Sequence, residues 1–173
     1  MAALEEISGV DRFEELGGEN DFGEPNSFSL SRARRYLDTD GSQRTQCSIY
    51  KSPDKNGHPL LQIDFTKEKY EPTRESLGDA SRAKDHVFYP LGALAYTAGG
   101  NTTSIDFLCR EVKGTGSMPY VNVSMYSAVD QIRLGGTGKE RMTILNSVAR
   151  KFAKELGCLS EAHLPETIPS PSA

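Results

Sequence analysis

The chain has no tryptophan, and its 173 residues hold only three cysteines, Cys47, Cys109 and Cys158. No run of apolar residues approaches the ~18 needed for a membrane span, which excludes a helical transmembrane segment. Residues 1–18 lack the basic start and apolar stretch of a signal peptide, so the chain as written reads as soluble, with any export signal already removed. Zinc is not expected, because the cysteines form no CxxC pair and His58, His86 and His163 are scattered. No cofactor is expected either. A Gly-x-Ser-x-Gly nucleophile elbow is missing, and the basic residues are spread along the chain rather than clustered with aromatics, which argues against nucleic acid.

Charge is unevenly laid out. Residues 1–26 carry eight acids against Arg12 alone, and residues 159–173 carry Glu161 and Glu166 with no Lys or Arg. The body between them keeps 14 acids against 19 bases. We therefore divide the chain into an acidic flexible arm (1–26), a single α+β domain (27–158) and a disordered Pro/Ser tail (159–173). Within the arm, Leu4, Ile7, Val10, Phe13 and Leu16 recur every three residues, as on a short helical stripe. Gly17 and Gly18 would end it.

Ser29 or Ser31 is placed to cap a helix running to Leu37, with Gly41 as its stop. From Thr45 the pattern alternates, with Cys47 and Ile49, then Leu61, Ile63 and Phe65, on one phase around the turn-rich segment 52–59. This predicts a hairpin. Residues 68–86 read as a surface loop with a helical turn near Thr73. Further strands are expected over 91–97, 104–112 and 120–128, with turns at Gly99–Asn101 and Gly114–Gly116. Asp106 alternates against Ile105 and Phe107, which assigns it to the wet face.

The closing helix, 139–156, has a capping signal in Thr137 and Glu140. Its apolar stripe is Leu145, Val148, Ala149, Phe152, Ala153 and Leu156; Arg141, Arg150, Lys151, Lys154 and Glu155 are assigned to solvent. Gly157 stops it. The expected fold is α+β, an antiparallel sheet of about five strands with this helix packed on one face. Gly135–Glu140 superficially looks like a phosphate-binding loop. It fails where Arg133 replaces the first Gly and Glu140 the Ser or Thr.

Docking the helix would bring Cys158, just past it, to Cys109 at the end of a strand, and a disulfide there leaves Cys47 over. The other reading keeps all three as buried thiols. The closing segment, a strand into Cys109 followed by Leu-x-x-Val-Ala-x-x-Phe-Ala-x-x-Leu-Gly-Cys ending at Cys158, resembles small exported lipoproteins of actinobacteria. That resemblance implies an extracellular or envelope location, against a cytoplasmic alternative, and a binding role.

No catalytic set assembles from spacing alone. The leading expectation is a non-catalytic exported or envelope-associated module engaging a protein partner through the acidic arm, at Leu4, Ile7, Val10, Phe13 and Leu16, or through the open sheet face. The alternatives are a small hydrolase using His86 with Asp85, and a small-ligand cleft lined by Tyr70, Phe88 and Tyr89. Asp64 and Asp106 are the acids on strands that would be needed for glycoside chemistry.

Overall fold

A computed structural model describes residues 2–38, 42–53, 57–78, 85–110, 118–128, 131–132 and 138–172. In chain order the elements are α1 (Ala2–Ser8), β1 (Phe13–Glu14), α2 (Leu30–Tyr36), α3 (Ser42–Thr45), β2 (Gln46–Lys51), β3 (Leu61–Glu68), a 3-10 turn (Glu75–Leu77), β4 (His86–Phe88), β5 (Leu94–Ala98), β6 (Thr102–Leu108), β7 (Tyr120–Ser127) and α4 (Gly138–Leu156). The strands form one sheet in the order β1-β2-β3-β7-β6-β5-β4, every neighbouring pair antiparallel. Short connections explain the hairpins β2–β3, β4–β5 and β5–β6. Insertion of β7 between β3 and β6 closes the sheet's middle.

The α+β class, the antiparallel sheet and the C-terminal helix are as expected, but the sheet has seven strands rather than about five. The two additional strands are the edges, β1 with two residues and β4 with three. Neither is long enough to show alternation. Each exists because a longer strand beside it offers free backbone groups: Phe13 and Glu14 pair with Lys51 and Tyr50, and residues 86–88 pair with 96–98.

Alternation assigns the two sheet faces. Thr103, Ile105 and Phe107 of β6, Val121, Val123 and Met125 of β7, and Ile63 and Phe65 of β3 turn toward α4 and are buried. The helix answers with Met142, Leu145, Ala149, Phe152, Ala153 and Leu156, all buried. At the centre the Phe65 and Phe152 rings lie 4.5 Å apart, and Phe28 stacks on Phe65 at 5.4 Å. Each fully buried side chain of this size contributes about 1.5–3 kcal/mol. Val148 is only partly buried at the edge of this core. Arg141, assigned to solvent by periodicity, is 4% exposed and belongs to the inner face.

Ser29 caps α2, its hydroxyl accepting from the Arg32 N–H. The stripe expected over residues 4–16 is not one helix. Gly9 takes φ +73 and its N–H closes on the Glu5 carbonyl, ending α1 at Ser8. Val10, Phe13 and Leu16 follow in other conformations. Thr137, Gly41, the turn Gly114–Gly116 and the centre of the 52–59 turn lie outside the described residues.

Packing shows no break at residues 26 or 158. Ile7 is fully buried in the common core, with Leu4 and Phe13 against it. At the other end Ala162 and Leu164 are buried, the Gly92 N–H donates to the His163 carbonyl, and the Ser172 N–H donates to the Phe88 carbonyl at the β4 edge. Arg150 donates to the Leu164 carbonyl and Asn146 to that of Pro165.

Cys109 and Cys158 are joined in a disulfide, with Cα atoms 5.2 Å apart and a sequence separation of 49. Cys47 is a free, buried thiol. Cys109, Cys158 and Glu161 lie close enough to suggest metal ligands, but the two sulfurs are bonded to each other and have no lone thiolate to offer. Among the described residues no helix is long and apolar enough to cross a membrane.

Candidate functional site

Since α1, α2 and α4 lie on one side of the sheet, its other face displays the remaining strand positions. From β2 to β4 these are Gln46, Ser48 and Tyr50, then Gln62, Asp64, Thr66 and Glu68, then Tyr120, Asn122, Ser124 and Tyr126, then Thr102, Ser104, Asp106 and Leu108, then Leu94, Tyr96 and Ala98, then His86 and Phe88. Among these positions there are three acids and no Lys or Arg. The cations of β2 and β3 turn the other way: the Lys51 ammonium donates to the Gln131 carbonyl, and Lys67 pairs with Asp38 at 2.6 Å.

Two amide networks hold the acids. Gln46 Nε2 donates to Asp64 Oδ1 at 2.8 Å, and Gln62 Nε2 reaches Asp64 Oδ2 at 3.4 Å. Asn122 Nδ2 donates to both Asp106 Oδ1 and Ser104 Oγ at 2.8 Å. Asp106 is on the face that alternation assigns, yet only 5% exposed, with Leu94 and Asn122 directly opposite it on the two neighbouring strands. Burial pushes its carboxyl up to about 6, the Asn122 donor opposes this, and the nearby Glu68 charge adds to it. Tyr96 continues the network. It hydrogen-bonds Ser104, and burial first, then the Asp106 charge, raises its phenol above the ordinary range.

Aromatic rings finish the face at the β4 edge. The Tyr96 ring lies 5.0 Å from His86 and 6.2 Å from Phe88, while His86 and Phe88 stack at 5.9 Å. The Arg74 guanidinium lies over the Phe88 ring at 4.2 Å and donates to Ser172 Oγ, so the C-terminal segment borders this corner. At the opposite edge the arm returns. Leu16, Glu19, Asn20, Asp21 and Asn26 line a cleft of about 280 Å³ against Gln46 and Ser48 of β2.

The predicted site residues are distributed by this geometry as follows. Ile7 is fully buried, Leu4 and Phe13 pack against the core, Val10 is half-buried, and Leu16 is 51% exposed. Five residues expected on one stripe thus share no surface; Leu16 alone reaches the cleft. His86 is set among aromatic rings. Its neighbour Asp85 accepts the Gly99 N–H through its backbone carbonyl. Phe88 and Tyr89 line a cavity of about 300 Å³ with Arg74, Leu94 and Ser172, whereas Tyr70 is 76% exposed and lies outside it. Asp64 and Asp106 share a face but belong to separate amide networks, with Asn122 and Ser124 of β7 between their strands. Sequence reasoning missed Asn122, Ser104 and Tyr96 as a set. The signal was present in the alternation of three neighbouring strands, but strand order was needed to read it. No protein-family model, curated protein or solved structure matches the chain.

Proposed function

We propose that the chain is a non-catalytic binding module that holds a basic protein segment on its open sheet face. The observation that carries this reading is the charge segregation: Asp64 and Glu68 of β3 and Asp106 of β6 point outward on either side of β7, and none of the three strands presents a cation on that side. The body of residues 27–158 is nevertheless net basic. A field of one sign over a broad face attracts and orients a partner of the other sign. Tyr96, Tyr120 and Tyr126 add rigid rings that cover the aliphatic stems of Lys and Arg. The arm supplies Glu19 and Asp21 at the rim of the same face, so the two surfaces expected to bind become one.

Asp106 supports the same reading. A carboxylate held in a site that disfavours its charge lowers stability, and groups of that kind concentrate at functional surfaces. An extracellular or envelope location goes with this proposal. A buried disulfide fits an oxidising compartment, and the resemblance to small exported lipoproteins points the same way.

Titrating the isotopically labelled chain with a lysine-rich peptide tests the function. Chemical-shift changes are expected at Gln62, Asn122, Ser124 and Tyr126, and Asp64→Asn with Glu68→Gln is expected to weaken binding about tenfold. A glutamate-rich peptide is the control. Shift changes confined to residues of α4, or equal binding of both peptides, would exclude the proposal.

A further inference from the structure

On the helix side of the sheet a second polar cluster has unmet hydrogen-bonding capacity. Arg141, in the first turn of α4, donates through Nη2 to the Gly99 carbonyl at 3.1 Å, while its Nε and Nη1 are buried without a partner. The Thr103 hydroxyl, fully buried, and Glu140 Oε2 are likewise buried and unpartnered. Arg141 and Glu140 belong to the first turn of the helix, and Thr103 to the strand β6 beneath it. Gly138 lets the chain close on the sheet there, since a Cβ would lie 2.7 Å from Thr97 Oγ1 and 3.3 Å from the Tyr89 hydroxyl. Thr97 and Thr103 are directly paired across β5 and β6. Burial raises the Tyr89 phenol, the Thr97 hydrogen bond and the Arg141 charge oppose this, and the Glu140 charge adds to it.

We infer that the start of α4 binds one inorganic phosphate that still carries a proton. Three features of the cluster select it. The first N–H groups of a 19-residue helix have no intrahelical acceptors and carry the positive end of its dipole. Arg141, 96% removed from solvent, has two donors to give and no carboxylate in an ion pair with it among the described residues. A buried cation with orphaned donors is costly until an anion fills them. Glu140 then decides which anion. Its free oxygen accepts a hydrogen bond, so it repels a fully deprotonated oxyanion and welcomes one with a P–OH to donate. Sulfate, of the same size and shape, has no such proton at neutral pH. This is not the phosphate loop that the sequence fails to match: the donors come from Arg141 and the helix start, and the Glu140 that spoils the loop motif becomes the proton acceptor.

Calorimetric titration of the dialysed full chain at pH 7 with inorganic phosphate is expected to show one saturable site, with sulfate at least about tenfold weaker. Phosphate at ten times its Kd is expected to raise Tm by roughly 4 °C. Arg141→Met is expected to abolish binding. Arg141→Lys, which keeps the charge should the Met variant not fold, is expected to weaken it about tenfold. Glu140→Gln is expected to bring sulfate within about threefold of phosphate. The inference is overturned if phosphate gives neither saturable heat nor a Tm shift, which would mean that buried water fills the cluster. It is also overturned if a folded Arg141 variant binds phosphate as the parent does, or if the parent chain binds sulfate and phosphate equally.

Discussion

Asp106 makes the protein's stability depend on pH through one buried carboxyl. Its carboxyl moves from an ordinary 3.8 to about 6 on folding, chiefly through burial. Between those values the native state keeps a proton that the unfolded chain has released, so stability falls as pH rises from about 4 to about 6 and the full cost is present above that. The interval of roughly two pH units corresponds to about 3 kcal/mol. Asp106→Asn is therefore expected to stabilise the protein by about 2–3 kcal/mol at pH 7.5 and by almost nothing at pH 4, read from urea midpoints at both pH values. Equal gains at the two would remove the ionisation argument. Gly92, on the neighbouring β5 approach, gives the opposite sign. It takes φ +63, and a Cβ there would lie 2.4 Å from the Asp106 carbonyl oxygen, which accepts the Ala93 N–H. Gly92→Ala is expected to cost about 2–4 kcal/mol, because backbone rather than a side chain must yield. At this scale the sequence was half legible. Period-two alternation put Asp106 on the correct face, but its burial depends on Leu94, Tyr96 and Asn122 from two other strands. Arg141 was misassigned for the related reason that helical periodicity ranks residues by polarity, and a buried polar cluster defeats that ranking.

Among elements, the helix α4 and the strands β5, β6 and β7 could be read directly, since each is long enough for its period to show. The cysteine joint could be read too, as the end of a strand and the end of a helix brought together. Reducing Cys109–Cys158 opens a loop spanning 49 positions, and the chain-entropy model assigns that about 4 kcal/mol. A reductant is expected to lower unfolding stability by about 2–4 kcal/mol in urea titrations. Cys47 gives an independent check. Burial, and secondarily Glu15, holds its thiol up to about 12, so the native protein is expected to show no reactive thiol at pH 8 and the unfolded, unreduced protein one. Three thiols in the unfolded protein would disprove the joint. The short elements were illegible for a common physical reason: α1, β1 and β4 are specified by what they touch. Ile7 reads as part of an acidic arm until α1 is laid against α4, where it is fully buried. Ile7→Ala is accordingly expected to cost about 2–4 kcal/mol by the same urea assay, a loss that an unpacked arm would not produce.

For the whole molecule, the decisive property is that the sheet sorts charge by face. Lys51 and Lys67 point to the helix side, where a carbonyl and Asp38 engage them, while the outward positions of the same strands hold Asp64 and Glu68. Net charge along the chain concealed this, because it depends on residue parity within each strand and on strand order. If this face holds a basic segment, its long-range attraction is screened by salt, with a Debye length near 8 Å at 0.15 M. The affinity of a lysine-rich peptide is expected to fall about tenfold between 50 mM and 500 mM salt at pH 7.5. A second dependence separates this face from generic charge. As pH drops through about 6, Asp106 takes up a proton beside Asn122, Glu68 and Tyr96, and the face loses one negative charge. Binding is therefore expected to weaken severalfold from pH 7.5 to pH 5 at constant ionic strength, and Asp106→Asn is expected to flatten that profile while preserving the salt dependence. A profile that stays steep in the Asp106 variant would assign the pH dependence to the partner and leave the buried carboxylate without a part in recognition.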